Sequence, residues 1–492
     1  MSILAIDVGS SSVRAILFEA DDNVVRLIPG AIVQRHYTFD TDNSGRATVD
    51  AVFLRELLEQ CIDDILQHDA ASSIEAVGIA TFVGNLLLLD GDYQPIAPLD
   101  TYADTRSDEF ADVIAREIDV TAHHQNTGTI LNSAYWLPKL RYYDYPHNAE
   151  PFVLHFSDFA TYCYREWFGR DVPMSYSVAS WSGMLNRNTL DWDENSIAIS
   201  GWSRTMFPRL ADISDAQQGL SADYASRWEK LADVPFYLAV GDGAAAQVGS
   251  GAIAEHTAAL TIGTTAAIRT VSTAPLPDVP AGCWSYRIDK SHHLIGGALS
   301  EGGNIFAWAR KTLNLDGIDI EAELQEREPG SHGLTVLPLL NGERSPGWRG
   351  DATGTIHGLQ LSTMPMDMLH ALLESVALRL AIITAQLNLA PEVKLMAAGG
   401  ALHKSPAWSQ MIASASGREL HLIGDAEATA SGIARIVHCI QSGQKITNHI
   451  ANITGIYKPK TNHSVIFGRL QARQRELYTV TNDLGNETML ST

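Results

Sequence analysis

The sequence predicts an α/β protein built from two similar halves with a cleft between them. Two segments, 254 positions apart, carry nearly the same pattern: an apolar strand ending in a glycine and two hydroxyl residues, then a second apolar strand. They are Ile6-Asp7-Val8-Gly9-Ser10-Ser11 and Leu260-Thr261-Ile262-Gly263-Thr264-Thr265. Because strands and helices alternate after each segment, each half is expected to form its own mixed sheet.

Turn residues and apolar spacing divide the first half into strands and helices. Short apolar runs bounded by turn residues predict strands. Apolar positions at helical spacing after Asp50, a suitable N-cap, predict the first helix. The predicted strands cover 3–8, 13–18, 24–28, 74–81, 86–89 and 236–240, and the predicted helices cover about 51–65, 107–118 and 134–143.

The second half repeats this plan, and the glycine-rich stretch Gly249-Ser250-Gly251 marks the division. The predicted domains are residues 1–247 and 248–484, followed by a flexible tail over 485–492. A closing hinge is expected near 245–257. The predicted strands of this half cover 258–262, 266–271, 293–299 and 394–398, and its predicted helices cover about 304–312, 366–389 and 464–484.

Composition and charge exclude several classes of function. The 492 residues are too many for one hydrophobic core, and the net charge of −22 disfavours nucleic acid or an anionic membrane as a partner. The four cysteines lie far apart without a CxxC pair, so we expect free thiols rather than a zinc site or disulfides. The chain leads directly into a strand, which leaves no room for a signal peptide, and no apolar run is long enough to span a membrane. The cytoplasm is therefore the expected location.

The two glycine turns predict a phosphate-binding site. Hydroxyls and free N–H groups around a glycine form a concavity that suits phosphate oxygens, so two turns suggest a nucleotide held from both sides. Asp7 is placed to hold Mg²⁺, directly or through water, and Arg14 to neutralise phosphate charge. Because Thr261 stands where the first copy has Asp7, only the first half is expected to handle the metal. A polar surface hairpin would be the better interpretation of either copy alone, but the repetition favours the phosphate site.

Asp242 is the candidate catalytic residue. It follows an apolar strand and stands between Gly241 and Gly243, which clear space around it. Ligands of α/β sheets bind at the carboxyl ends of strands. A carboxylate there can orient a substrate hydroxyl and accept its proton as a phosphoryl group arrives. The alternative, which is compatible with this role, is that Asp242 is the N-cap of the helix that follows.

Two further glycine pairs suggest contacts with a flat base or a ribose. Gly399 and Gly400 lie between a predicted strand and a predicted helix, where backbone without side chains lets a ligand come close. Gly302 and Gly303 could flank the same ligand. Either pair alone is weak evidence, because many α/β turns look alike.

Asp104 and Arg106, two positions apart before a predicted helix, are candidate substrate ligands. The carboxylate could bind sugar hydroxyls, and the guanidinium could bind a sugar carboxylate through two hydrogen bonds. On the sequence alone, the favoured alternative is an ion pair that braces the domain, with Ser107 as the helix N-cap.

Taken in order, these motifs resemble the FGGY family of carbohydrate kinases, which belong to the actin-like ATPase superfamily with duplicated ribonuclease-H-like domains. The resemblance spans nearly the whole chain, and the ordered set of motifs is specific although each motif alone is weak. It implies ATP and Mg²⁺ as cofactors, phosphorylation of a sugar or polyol hydroxyl, and a cleft that closes on substrate. By this resemblance Asp242 is the base and Asp7 assists the metal, and the nucleotide site is lined by Gly9, Ser10, Ser11, Thr264, Gly303, Gly399 and Gly400.

Within the family, the stretches 101–107, 134–139 and 342–348 look most like bacterial gluconate kinases. The segment 81–85 departs from the family pattern. Glycerol kinases carry an Arg-Glu pair there, and xylulose and gluconate kinases usually carry a histidine. Glycerol is therefore disfavoured, and Asn85 is predicted to contact the substrate in place of the histidine.

Three functions remain as hypotheses. The first is an ATP-dependent kinase of a sugar or sugar acid, with gluconate as the leading substrate. The second is a kinase of the ketopentoses xylulose or ribulose. The third is a non-catalytic binding protein switched by ATP, since actin-like folds also serve as chaperones and filaments. The expected partners are the small-molecule substrate and ATP, with a homodimer left open.

Overall fold

The computed structural model describes residues 1–21, 24–144, 153–254, 256–424, 427–446 and 452–489. Its main features are two seven-stranded sheets, one in each half of the chain. Two large hydrophobic cores correspond to these halves, and a third cluster of buried residues joins them.

The first half contains the first sheet and the shorter strands and helices inserted around it. Its strands are β1 (Ser2–Val8), β2 (Ser12–Asp21), β3 (Val24–His36), β4 (Asp40–Thr41), β5 (Ala47–Val49), β6 (Ile74–Thr81), β7 (Leu87–Leu89), β8 (Leu99–Asp100), β9 (His155–Ser157), β10 (Met174–Ser175), β11 (Leu185–Asn186), β12 (Asp191–Trp192), β13 (Leu210–Ala211), β14 (Ala216–Gln217), β15 (Phe236–Tyr237) and β16 (Val240–Gly241). Its helices are α1 (Ala51–Ile65), α2 (Asp108–Glu117), α3 (Val120–Thr127), α4 (Trp136–Asp144), α5 (Phe159–Phe168), α6 (Tyr176–Ser180), α7 (Glu194–Ser200), α8 (Ala222–Arg227) and α9 (Asp242–Gly249).

The second half contains the second sheet and seven helices among the described residues. Its strands are β17 (Thr257–Ile262), β18 (Ala266–Ser272), β19 (Trp284–Arg287), β20 (His293–Leu299), β21 (Thr335–Leu337), β22 (Thr355–His357), β23 (Lys394–Ala398), β24 (Leu420–Ile423) and β25 (Ile453–Tyr457). Its helices are α10 (Gly303–Thr312), α11 (Ile320–Glu326), α12 (Pro365–Gln386), α13 (Gly400–Lys404), α14 (Pro406–Ser416), α15 (Ala428–Ser442) and α16 (Thr461–Met489).

The two sheets share one topology, which confirms the predicted duplication. In the first, β1 pairs antiparallel with β2 and parallel with β6, β2 pairs antiparallel with β3, and β6 pairs parallel with β15 and β16. In the second, β17 pairs antiparallel with β18 and parallel with β23, β18 pairs antiparallel with β20, and β23 pairs parallel with β24. Each sheet therefore contains a three-stranded meander that is extended by parallel strands on the other side of its first strand. These strands are β6, β15 and β16 in the first sheet and β23 and β24 in the second.

The predicted elements are found, with three main differences. The strand predicted over 24–28 continues to His36 as β3. The strand predicted over 236–240 is interrupted between β15 and β16, because the carbonyl oxygens of Tyr237 and Ala239 accept hydrogen bonds from the hydroxyls of Tyr164 and Ser175. The last helix, α16, continues past position 485, where the sequence predicted a flexible tail. Positions 490–492 of that predicted tail lie outside the described residues.

Helix α12 forms the centre of the second core. It is the one helix in the described part of the chain that is long and apolar enough to cross a membrane, and 83% of its apolar stretch is buried inside the protein. Such burial is what a core helix requires, because its apolar residues must be covered on all sides.

Helices α9 and α15 join the two halves through close backbone contact. A Cβ at Gly249 of α9 would overlap the carbonyl oxygen of Ala428, and a Cβ at Gly432 of α15 would overlap that of Ala245. Helix α15 also packs on the first sheet, where a Cβ at Gly78 would lie 2.6 Å from Val437. The second half therefore contributes a helix to the hydrophobic cluster next to β1 and β6, and this contact fixes the joint beside the candidate site.

Candidate active site

The first glycine turn connects β1 to β2. Asp7, the next-to-last residue of β1, pairs across the hairpin with Arg14. The N–H of Gly9 donates to the carbonyl of Ser12 at 2.9 Å, and the hydroxyl of Tyr37 donates to the carbonyl of Gly9 at 2.5 Å. The strands on either side are buried, whereas the turn itself reaches solvent. Its polar groups are thus held in place and remain accessible.

The second glycine turn connects β17 to β18 and is also exposed. The N–H of Gly263 donates to the carbonyl of Thr265 at 3.0 Å, and the N–H of Gly303 donates to the carbonyl of Gly263 at 2.7 Å. The carbonyl of Thr264 accepts from the N–H of Asn304 at 3.2 Å. The start of helix α10 therefore supports this turn, and Gly303 contributes by packing against it.

Glycines around the second turn serve two different purposes. Gly399 has a φ of +120°, and a Cβ there would overlap the carbonyl oxygen of Ile262, so only glycine fits. A Cβ at Gly303 would lie 2.8 Å from the carbonyl oxygen of Gly263. In contrast, Cβ atoms at Gly263 and Gly400 would meet nothing within 4 Å. Gly399 and Gly303 thus shape the turn, and Gly263 and Gly400 leave open space beside it.

Asp242 lies where three strands of the first sheet end together. Ala80 of β6 is in register with Asp7 of β1 on one side and with Val240 of β16 on the other, so Asp242 follows the same edge. Gly241 is the N-cap of α9 and Asp242 is its first residue, which corrects the predicted N-cap role by one position. Its Oδ1 accepts from the adjacent N–H of Gly243 at 2.6 Å, and its side chain is half-buried.

Burial raises the pKa of both carboxyl groups at this edge. Asp242 rises from 3.8 to about 6, opposed by the hydrogen bond from Gly243 and by the charge of Arg269. Asp7 rises from 3.8 to about 7, opposed by Arg14 and reinforced by the charges of Asp242 and Glu427. Strongly raised acids in a cleft are typical of functional sites.

Arg14 has a protein partner in this structure. Its Nη1 lies 2.7 Å from Oε2 of Glu427, directly before α15, and 3.8 Å from Oδ2 of Asp7. The guanidinium therefore links the first hairpin to the second half of the chain. The contact with phosphate that the sequence suggested for Arg14 stays a prediction.

Arg269 brings the second hairpin to Asp242 and was not singled out in the sequence. It lies on β18, and its Nε is 3.8 Å from the Cβ position of Gly243. Its Nη1 donates to Oγ1 of Thr261 at 3.4 Å. A charged residue inside the apolar run 266–271 was the available signal. Asp242 thus interacts electrostatically with Asp7 of the first hairpin and with Arg269 of the second.

The glycines beside Asp242 make room for an aromatic side chain rather than for a ligand. Cβ atoms at Gly241 and Gly243 would lie 2.7 Å and 3.0 Å from the indole of Trp181. Trp181 stacks on Tyr286, with ring centroids 3.6 Å apart and planes within 17°. The aromatic wall next to Asp242 is formed by Trp181, Trp284, Tyr286 and Tyr135.

Asp104 and Arg106 form the bracing ion pair that was the alternative to substrate binding. Nε of Arg106 lies 3.0 Å from both carboxylate oxygens of Asp104, and its Nη2 lies 2.6 Å from Oδ1 of Asp100. The buried ammonium of Lys139 donates to the carbonyl of Asp104 at 3.4 Å. Ser107 occupies the N-cap position of α2 but makes no capping hydrogen bond with its side chain. These contacts occupy the charged groups in this structure, and the substrate role of Asp104 and Arg106 stays a prediction.

Asn85 is directed into the fold, and its predicted contact with substrate stays a prediction. Its side chain is 1% exposed; its Nδ2 donates to the carbonyl of Phe82 at 2.6 Å and its Oδ1 accepts from the N–H of Phe159 at 2.8 Å. Val83 of the same segment lies 3.0 Å from the Cβ position of Gly241. The side chain that this loop presents next to Asp242 is therefore apolar.

A duplicated sheet with a glycine turn in each half and a carboxylate at the joint defines the actin-like class of α/β phosphotransferases. Two family models identify the family within this class. The model for the N-terminal domain of the FGGY family of carbohydrate kinases matches residues 2–249, and the model for its C-terminal domain matches residues 258–437. This chain belongs to the FGGY family and is a carbohydrate kinase.

Named relatives include kinases of two different substrates. The gluconokinase of Bacillus subtilis (strain 168) is 27% identical over 430 residues, covering 83% of this chain and 82% of the relative. The xylulose kinase of Escherichia coli (strain K12) is 25% identical over 454 residues, covering 90% of each chain. The crystal structure of a gluconate kinase from Lactobacillus acidophilus superposes with a TM-score of 0.89 at 22% identity, covering 97% of this chain and 98% of that chain. That likeness confirms the fold, and the relatives do not separate the substrates.

Proposed function

We propose that this chain transfers the γ-phosphoryl group of ATP to a hydroxyl of gluconate, with Asp242 as the general base. The observation that carries the proposal is the position of Asp242, which follows the sheet edge that holds Asp7 and adjoins Gly243, whose Cβ position lies 3.8 Å from Nε of Arg269. With a pKa raised to about 6, its carboxylate is ionised at pH 7 and can accept the proton of the attacking hydroxyl.

The nucleotide would lie between the two glycine turns. The exposed polar groups of both turns suit phosphate oxygens, and the open space beside Gly263 and Gly400 suits the nucleoside. The groups proposed to line this site are Gly9, Ser10, Ser11, Thr264 and Gly400, with Gly303 and Gly399 shaping the second turn.

The residues around Asp7 fit a bound Mg²⁺. The charges of Asp242 and Glu427 both act on Asp7 at this edge, and the guanidinium of Arg14 lies 2.7 Å from Glu427 and 3.8 Å from Asp7. Hard oxygen ligands of this kind are what Mg²⁺ prefers. Asp7 would hold the ion directly or through water, and the ion would supply positive charge beside the β- and γ-phosphates.

Gluconate is preferred over a ketopentose because segments 101–107, 134–139 and 342–348 resemble gluconate kinases, and gluconokinases are among the named relatives. Xylulose remains the second candidate, since xylulose kinases match at similar identity. Both candidates require the same base and the same nucleotide site.

A substrate screen tests the proposal directly. ADP release would be followed by a coupled assay with gluconate, xylulose, ribulose, glycerol and erythritol at equal concentrations. Gluconate is expected to give the highest kcat/KM, and Asp242→Asn is expected to remove the sugar-dependent signal. Rapid turnover of a ketopentose with gluconate inert would instead select the second candidate, and turnover of none of these sugars would reject both.

We also propose the cytoplasm as the location, which the free thiols support. None of the four cysteines forms a disulfide, as expected of a reducing compartment. The homodimer left open by the sequence is tested by light scattering of the purified chain.

A further inference from the structure

Among the residues that the structure describes, Arg269 forms no ion pair, although the charge of Asp242 acts on its guanidinium. Its Nε is buried and has no hydrogen-bond partner among the described residues, and its bond to Oγ1 of Thr261 is long, at 3.4 Å. The stem of the side chain crosses the second sheet over Gly296, where a Cβ would lie 3.1 Å from its Cγ and 2.8 Å from Trp284. A guanidinium held in this way beside Asp242 has N–H donors available for a ligand.

Arg344 is a second cation in this region. Its neighbour Ser345 packs on Gly297 of β20, where a Cβ would lie 3.0 Å from the Ser345 hydroxyl, and the stem of Arg269 crosses the adjacent Gly296. The charge of Arg344 accordingly acts on Arg269 and on the hydroxyls of two residues of the aromatic wall, Tyr135 and Tyr286. The side chain is exposed, and within the described ranges it makes neither an ion pair nor a hydrogen bond; its recorded contact is a guanidinium 6.0 Å above the ring of Trp348.

The loop that carries Arg344 is fixed on both sides of it. Glu343 is buried in an ion pair with Arg379 and accepts from the hydroxyl of Tyr478 at 2.5 Å. Ser345 is buried and donates its N–H to the carbonyl of Ala298 at 2.9 Å. Arg344 is therefore exposed between two buried residues, and its backbone is held in place on both sides. Such preorganisation lowers the entropic cost of binding a ligand.

Neighbouring cations repel each other, and within the described part of the chain neither Arg269 nor Arg344 forms an ion pair. Burial, the largest cause, and the charge of Arg344 lower the pKa of Arg269, whereas the charge of Asp242 raises it and offsets part of the cost of the buried guanidinium. A bound anion would remove that repulsion and satisfy the free donors. The ligand implied is therefore negatively charged and sits near the aromatic wall.

We propose that Arg269 and Arg344 form the subsite for the carboxylate of a sugar acid, and so select an acid over a neutral sugar. This inference rests on the proposed function and assigns specificity to two residues. The position of Arg269 favours the sugar over the nucleotide: it stands three residues past Ala266, so its backbone is about 10 Å from the second glycine turn. Its neighbours are the aromatic residues, whose faces suit the C–H groups of a sugar chain.

The test compares gluconate with glucitol, which has a hydroxymethyl group in place of the carboxylate. Binding of each would be measured by calorimetry, and KM and kcat by ADP release. Wild-type protein should bind gluconate more tightly. Arg269→Gln should weaken gluconate binding by about 10- to 100-fold, since a charge-assisted hydrogen bond is lost, and should leave glucitol binding within about twofold.

Arg344→Gln keeps the test decisive if Arg269→Gln folds poorly, because Arg344 is exposed; the same selective loss is expected, at a smaller size. Arg349→Gln is the matched control, since Arg349 lies in the same loop and pairs with Asp351 at 3.2 Å. Arg349→Gln should leave the binding of both gluconate and glucitol unchanged.

Equal losses for gluconate and glucitol, or losses in kcat alone, would assign the arginines to the phosphoryl group and overturn the inference. Unchanged gluconate binding in both variants would do the same while leaving the proposed function standing. Failure of the proposed function would look different: wild-type protein would then turn over a ketopentose and show no preference for gluconate over glucitol.

Discussion

The two glycine turns share a topology but differ in length and in charge. The first turn has four residues, 9–12, between paired positions and the second has three, 263–265. Asp7 stands beside the first turn opposite Arg14, whereas the equivalent position beside the second turn holds Thr261. The two hairpins therefore have the same strand pairing but different charged side chains.

This difference suggests how the work is divided. Two of the acids at the edge, Asp7 and Asp242, come from the first half, and two cations that form no ion pair among the described residues, Arg269 and Arg344, come from the second. The first half would accordingly bind metal and accept the proton, and the second would hold the nucleoside and the anionic group of the substrate, with the phosphates between the two turns. The predictions below probe that division.

The largest effect is expected from Asp242→Asn. The amide preserves the shape of the side chain but cannot accept a proton, so kcat should fall by about 10²- to 10⁴-fold. Binding of an ATP analogue should change little, because the turns are intact. Asp108→Asn is the control, since Asp108 also stands in the first turn of a helix, α2. Full activity of Asp242→Asn would remove the assigned base.

A second comparison uses the equivalent positions of the two hairpins. Asp7→Asn should lower activity by about 10- to 100-fold and raise the Mg²⁺ concentration needed for half-maximal rate. Thr261→Val should cost roughly threefold or less, because only a long hydrogen bond from Arg269 is lost. Magnesium titrations of both variants would measure this. Equal effects would show that the two hairpins do not differ in their handling of the metal.

Two adjacent glycines should distinguish a position where only glycine fits the turn from a position where a side chain would meet open space. Gly399→Ala should lower the free energy of unfolding by about 1–3 kcal/mol, because φ is +120° and the new Cβ overlaps a carbonyl oxygen. Gly400→Ala should stay within about 0.5 kcal/mol of the parent, since its Cβ meets open space. Urea unfolding followed by circular dichroism would test this. Indistinguishable stabilities would mean that the turn is not packed as described.

The smallest expected effect is a shift in the pH dependence of kcat/KM. At saturating Mg²⁺, kcat/KM should fall about tenfold per pH unit below about 6, because protonated Asp242 cannot act as a base. Arg269→Gln should move this acidic limb to higher pH, since the charge of Arg269 lowers the pKa of Asp242. Rates measured from pH 5 to 8 would show the shift. An acidic limb at the same pH in the variant would show that Arg269 does not affect the pKa of the base.

Much of the fold could be predicted from the sequence because its signals are local. The repeated strand–glycine–strand pattern identified both hairpins, and apolar periodicity identified helices such as α1 and α12. The break between β15 and β16 was not predictable, because it depends on the hydroxyls of Tyr164 and Ser175, which are distant in sequence.

The candidate site was predicted less completely. Asp7 and Asp242 follow from strand ends, which are visible in the sequence. Trp181 and Arg269 reach the site only through tertiary packing, so motif reasoning did not find them. Asn85 shows the same limit, because a resemblance locates a loop but does not say which of its side chains points inward.

The most direct test of the account is a structure of the protein with a non-hydrolysable ATP analogue and gluconate. The account predicts phosphate oxygens against both glycine turns and a gluconate hydroxyl within about 2.6–3.2 Å of the Asp242 carboxylate. An analogue held by one turn only, or a sugar with every hydroxyl out of reach of Asp242, would contradict it.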